Sequence, residues 1–124
     1  MTQTEIMIVE DEPMISFDLA DFLQEAGYRI NGPYATAAEA LAALPEAGVA
    51  LAILDVDLGD GSTSEPVAEW LEASGTPFVF VSGYNYQGSE LIRRFPAAGR
   101  ISKPWEPQDL LNAIARSVGP RLVA

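Results

Sequence analysis

Apolar residues along this chain fall in short unbroken runs, separated by longer stretches where they recur every three or four positions. Ile6-Met7-Ile8-Val9, Val49 to Leu54 and Phe78 to Val81 read as buried strands, with a weaker one at Gly99-Arg100-Ile101-Ser102. Tyr28-Arg29-Ile30 predicts a fifth, shorter strand. Between them Ile15, Leu19, Phe22, Leu23 and Ala26 share one helical face, ended by Gly27. Thr36-Ala37-Ala38-Glu39 is a capping box opening a helix to Leu44, which stops before Pro45. Pro66 sits just inside a helix carrying Val67, Trp70 and Leu71 and ending at Gly75, and Pro107 opens a last amphipathic helix through Val118. The spacing also predicts a helix over Tyr84 to Arg94, though Gly88 and two aromatics interrupt it. Strand and helix thus alternate five times, which implies an α/β fold with a parallel sheet covered by helices on both faces. In such folds ligands bind beyond the carboxyl ends of the strands, at the topological switch point.

Composition narrows the chemistry. With 124 residues the chain is expected to form one domain, 1–124, with no output domain. No run of ~18 apolar residues predicts a membrane span, and the N-terminus lacks the basic start and apolar stretch of a signal peptide. A cytoplasmic location is expected. The absence of cysteine excludes disulfide and thiolate chemistry, and the absence of histidine removes the commonest general base and zinc ligand. Eighteen acidic residues against seven basic ones give a net charge of −11, which argues against nucleic acid as a partner. Phosphoryl chemistry, if present, must run on carboxylates and hydroxyls.

The residues that follow each strand are the informative ones. Glu10-Asp11-Glu12 follow the first, Asp55 and Asp57 the third, Ser82-Gly83 the fourth and Ser102-Lys103-Pro104 the last. Convergent carboxylates repel one another, by several kcal/mol at an effective dielectric of about 20, and a divalent cation removes that cost. Oxygen-only ligands with room for water suit Mg²⁺, with Asp11 and Asp55 as side-chain ligands and Glu10 in contact directly or through water. The plainer alternative for Glu10-Asp11-Glu12 is an acidic first turn that complements the helix dipole. Lys103 is the only lysine among the seven basic residues, and its compact ammonium suits a single carboxylate or phosphoryl oxygen. Its alternative is an exposed loop lysine. Ser82 could donate to a phosphoryl oxygen beside Gly83, although Ser-Gly is also an ordinary turn.

These residues, in this order, resemble a response-regulator receiver domain over essentially the whole chain. The matching motifs are Ile8-Val9-Glu10-Asp11-Glu12-Pro13, Ile53-Leu54-Asp55-Val56-Asp57-Leu58 with Gly61, Phe80-Val81-Ser82-Gly83-Tyr84, and Ser102-Lys103-Pro104. The resemblance implies a flavodoxin-like sheet of strand order 2-1-3-4-5, with Asp55 as phosphoacceptor. It implies Mg²⁺ held by Glu10, Asp11, Asp55 and the backbone carbonyl of Asp57, and a phosphoryl group held by Ser82 and Lys103. A cis peptide before Pro104 is implied too. The donor would be a sensor histidine kinase or a phosphotransfer protein, and the protein would catalyse only its own phosphorylation and dephosphorylation. The Phe-Val-Ser-Gly-Tyr stretch is similar to single-domain regulators that accompany HWE-type kinases in alphaproteobacteria. The chain departs from the family at Arg100, where many receivers carry an aromatic switch residue. Ser82, Arg100 and Tyr84 are the switch candidates: either Tyr84, Phe95 or Trp105 substitutes for the aromatic residue by packing, or Arg100 swings between acidic partners.

Two rival readings remain. A degenerate receiver would bind partners without phosphorylation. A haloacid-dehalogenase-type phosphatase would use Asp55-Val56-Asp57 as its nucleophile and acid. That family sets its motifs in the opposite order and places Thr or Val where Gly59 stands.

Overall fold

A computed structural model, describing residues 4–59, 61–83 and 90–118, contains the expected alternation. Its strands are β1 (Glu5–Val9), β2 (Arg29–Tyr34), β3 (Leu51–Asp55), β4 (Phe78–Ser82) and β5 (Gly99–Ser102). Its helices are α1 (Pro13–Glu25), α2 (Ala37–Ala43), α3 (Glu65–Ser74), α4 (Glu90–Arg94) and α5 (Pro107–Val118). Every pairing is parallel, in the order β2-β1-β3-β4-β5. The chain runs outward from β1 in one direction to β2 and in the other to β3. The switch point therefore lies between β1 and β3.

The unbroken apolar runs are explained by helices on both faces. Successive side chains of a strand point to opposite sides, so each run divides between two cores. Met7, Val9, Ala52, Leu54, Phe78 and Phe80 pack with Ala40 of α2, Val67 and Leu71 of α3, and Leu91 and Ile92 of α4. Ile6, Ile8, Leu51, Ile53, Val79, Val81 and Ile101 pack with Leu19 and Leu23 of α1 and Leu110 and Ile114 of α5. A polar residue inside β3 or β4 would have to be buried wherever it pointed. Polar chemistry is thereby pushed to the strand ends.

Local signals set the helix limits. Proline opens α1, α3 and α5 at or next to the first position, where its missing N–H costs nothing. Thr36 caps α2 by accepting the Glu39 amide at 3.1 Å. Gly75 closes α3 in the left-handed conformation, φ 77°.

Three boundaries differ from the sequence expectation. α2 ends at Ala43, and Leu44–Glu46 tighten into a 3₁₀ turn that includes Pro45. β3 pairs only from Leu51, with the Ala50 amide already bonded to the Glu5 carbonyl. β2 runs on to Tyr34 through Gly32-Pro33, past the residues expected to end it. It lies at the edge of the sheet, where proline is tolerated, and a register shift opposite Met7–Val9 absorbs the irregularity. The first turn of α1 holds no acidic residue, so Glu10-Asp11-Glu12 precede the helix rather than decorating it. The Lys103–Pro104 peptide is cis, as the resemblance implied, and so is Gly32–Pro33. Among the described residues no helix is long and apolar enough to cross a membrane.

Candidate functional site

The carboxyl ends of β1, β3, β4 and β5 bring together residues up to 93 positions apart in sequence, from Glu10 to Lys103. Glu10 leaves β1 with its amide bonded to the Tyr34 carbonyl, at 2.9 Å. Asp55 is the last residue of β3. Both are buried, with only 3% and 5% of their surfaces exposed. Oxygens of Glu10, Asp11 and Asp55 lie within 4.8 Å of one another. Lys103 follows β5, and its amide donates to the Ser82 carbonyl at 2.8 Å, which ties the ends of β4 and β5 together.

From that anchor the Lys103 side chain reaches across β4. Its ammonium donates to Asp55 Oδ2 at 2.9 Å and lies 3.1 Å from Glu10 Oε1. The second contact is an ion pair without hydrogen-bond geometry: Glu10 Oε1 is buried and accepts no hydrogen bond among the described residues. Glu10 Oε2 accepts the Glu12 amide at 3.1 Å. Glu12 thus contributes through its backbone, a role its side chain gave no reason to expect.

Glu10 and Asp55 share one ammonium, with the Asp11 carboxylate close beside them. Burial, then the hydrogen bond and charge of Asp55, push Glu10 up to about 7, against the opposing pull of the Glu12 amide and Lys103. Burial works against the Lys103 ammonium as well, but the hydrogen bond and charge of Asp55, reinforced by Glu10, outweigh it and raise its pKa. The edge is short of positive charge. A proton on Glu10 meets that shortage in one way, and a hard cation meets it in another. Oxygen-only donors, one of them buried without a hydrogen bond, fit such a cation.

The remaining sequence candidates are placed unevenly. Ser82 ends β4, is buried, and pairs in register with Ser102. Asp57 has an exposed side chain, and its backbone bridges to Thr63. Arg100 is exposed on β5 opposite Phe80, and its side chain makes no ion pair or hydrogen bond among the described residues. Tyr84 lies outside the described residues, as does most of the helix expected there. Phe95 joins Phe78 and Phe80 in an aromatic cluster, with ring centroids 5.4 and 6.3 Å away. Trp105 lies against Phe22 of α1 instead, at 5.3 Å. A cavity of about 460 Å³ opens beside the ammonium, lined by Ile15, Asp18, Gly83, Lys103, Pro104 and Trp105.

A parallel sheet of this order, with an acidic cluster at its switch point facing a lysine from the last strand, defines a class. The model of the response regulator receiver domain matches residues 6–115, and the chain belongs to that family. It is therefore not of the haloacid-dehalogenase type.

Among individual proteins, the chain is similar to SdrG from Sphingomonas melonis Fr1. The two are 40% identical with a TM-score of 0.80, over 93% of this chain and 97% of that one. A structure described as the BeF₃-activated conformation of SdrG, from Pseudomonas melonis Fr1, is 39% identical with a TM-score of 0.74, over 92% and 95% of the two chains. The phyllosphere-induced regulator PhyR of Methylorubrum extorquens is 31% identical over 93% of this chain and 43% of its own length. The transcriptional regulatory protein PdtaR of Mycobacterium tuberculosis is 29% identical over 91% of this chain and 56% of its own. The chain spans about half the length of these two curated relatives.

Proposed function

We propose that Asp55 accepts a phosphoryl group from a phosphohistidine on a partner kinase or phosphotransfer protein, and that the modification switches a protein-binding face. The observation that carries this reading is the Lys103 ammonium 2.9 Å from Asp55 Oδ2 within the acidic cluster. An Asp55 carboxylate oxygen attacks phosphorus as the phosphorus–nitrogen bond breaks, and the imidazole leaves with the electron pair. The transition state is loose, so positioning and charge neutralisation supply nearly all the catalysis. Lys103 moves from the carboxylate to a phosphoryl oxygen, and the Ser82 hydroxyl donates to another. Glu10, Asp11, Asp55 and the Asp57 carbonyl would hold Mg²⁺, which supplies further neutralisation of the phosphoryl oxygens. The product adds about −1.5 to −2 charges at this edge.

The output face in this reading carries α4, β5 with Arg100, and α5. The protein acts in the cytoplasm, with a sensor kinase of the HWE type as donor and without a nucleic-acid or membrane partner. That a relative 39% identical has a BeF₃-activated conformation supports the use of beryllofluoride as a phosphoryl mimic here. The test is transfer from a panel of ³²P-labelled, histidine-phosphorylated kinases. The chain should label in the presence of Mg²⁺, whereas Asp55→Asn should not. Labelling that survives Asp55→Asn would sink the proposal. A chain that no donor labels, and whose partner binding ignores beryllofluoride, would be the degenerate receiver.

A further inference from the structure

The loop leaving β3 turns back toward β1, and at Gly59 its backbone runs against the Asp11 carboxylate. A Cβ built on Gly59 would lie 3.1 Å from Asp11 Oδ2, tighter than nine in ten real Cβ contacts, so the carboxylate would have to give by a few tenths of an ångström. The loop is poorly placed to give instead. The Gly59 carbonyl accepts both the amide and the hydroxyl of Ser62 at 2.8 Å, the Leu58 amide donates to the Ser62 carbonyl at 3.0 Å, and Asp57 bridges to Thr63.

We propose that Gly59 is a positioning residue for the cation site: its missing side chain lets the Asp11 carboxylate stand where a small, rigidly coordinated ion needs it. The inference rests on the reading of Glu10, Asp11 and Asp55 as cation ligands and adds a determinant of selectivity to it. Mg²⁺ demands near-octahedral oxygens at about 2.0–2.1 Å, whereas Ca²⁺ accepts about 2.3–2.6 Å in flexible geometry. A displacement of a few tenths of an ångström therefore weighs on Mg²⁺ far more than on Ca²⁺.

The same loop holds a control. Gly61 has φ +75° against +77° for Gly59, yet a Cβ there meets nothing within 4 Å among the described residues. Alanine at either position brings the same backbone strain, but only Gly59→Ala crowds Asp11.

The experiment is calorimetric titration of the full chain with MgCl₂ and with CaCl₂, comparing the unaltered chain, Gly59→Ala and Gly61→Ala, each checked for folding by circular dichroism. Gly59→Ala should weaken Mg²⁺ binding roughly tenfold, the low end of what disturbed supports of metal ligands cost, and Ca²⁺ binding by much less. Gly61→Ala should keep the original ratio of the two affinities. An equal loss for both ions in Gly59→Ala, or no loss, overturns the role of Gly59 and leaves the cation site standing. Failure of the unaltered chain to bind Mg²⁺ overturns the cation site itself, and this proposal with it. If Gly59→Ala does not fold, Gly59→Asn against Gly61→Asn applies the same criterion. Asparagine enters the left-handed region more readily and still carries the Cβ.

Discussion

At Glu10 a carboxylate is buried against a second carboxylate, with one ammonium shared between them. Its pKa of about 7 in the fold, against an ordinary value of 4.5, means the native state holds a proton there that the unfolded chain has released. Without divalent ions, stability should therefore fall as pH rises from about 4.5 to about 7, then level off as far as this group is concerned. Lys103 does not confuse the measurement. Its raised pKa makes a contribution that is complete below 10.5 and is lost only above that value. Urea unfolding in EDTA should show the decline, and Glu10→Gln should flatten it. Mg²⁺ binding near pH 6.5 should release a proton, read as a dependence of the calorimetric enthalpy on the ionisation enthalpy of the buffer. A buffer-independent enthalpy would contradict the shift. The residue types were legible in the sequence: a lone lysine and acids after two strands. The raised pKa of Glu10 was not, because it comes first from desolvation, and burial is a property of the assembled edge.

At the scale of elements, the proposed switch requires a packed path from the strand ends beside Asp55 to the helices. Ser82 ends β4, and two residues earlier Phe80 packs edge to face on Phe78 and against Phe95, just beyond α4. Arg94 of α4 pairs with Glu65 and Glu69 of α3, and its guanidinium lies 5.1 Å from the centre of the Phe95 ring. These contacts give α4 a packed route to the strand that carries the hydroxyl, where many receivers use an aromatic residue on β5. Phe95 rather than Trp105 is placed to serve in it. Arg100 stands outside that cluster, exposed on the edge strand, where a partner can meet it. Arg100→Ala should accordingly weaken binding of the downstream partner several-fold, the scale of an exposed interfacial charge, while Asp55 is still phosphorylated at the original rate. Unchanged affinity with and without beryllofluoride would end that role. The hydrophobic periodicity did indicate α1, α3 and α5 and the strands, since each has an apolar face or run. It could not show that α1 leaves Met14 and Phe17 exposed, because helical spacing does not reveal where neighbouring helices stop.

Across the whole molecule, the two cores and the polar edge depend on one sheet. Leu54 is fully buried one position before Asp55, so its packing supports both stability and the placement of that carboxylate. Leu54→Ala should cost about 3 kcal/mol by urea unfolding, a large part of the ~5–15 kcal/mol typical of a domain this size. A loss below about 1 kcal/mol would mean that the core collapses around the gap. The sequence by itself determined the alternation of strand and helix, the burial of the central strands on both faces, and the residue standing at each strand end. These are local patterns, written in period and order along the chain. Strand order was legible only through family resemblance, since no periodicity states which strand lies beside which. Tertiary structure alone decided that Lys103 reaches Asp55 and Glu10 across β4, that Glu10 is desolvated enough to raise its pKa, and that Gly59 runs against Asp11. Each of these is a through-space distance between separate segments, fixed when the sheet closes and water leaves its edge.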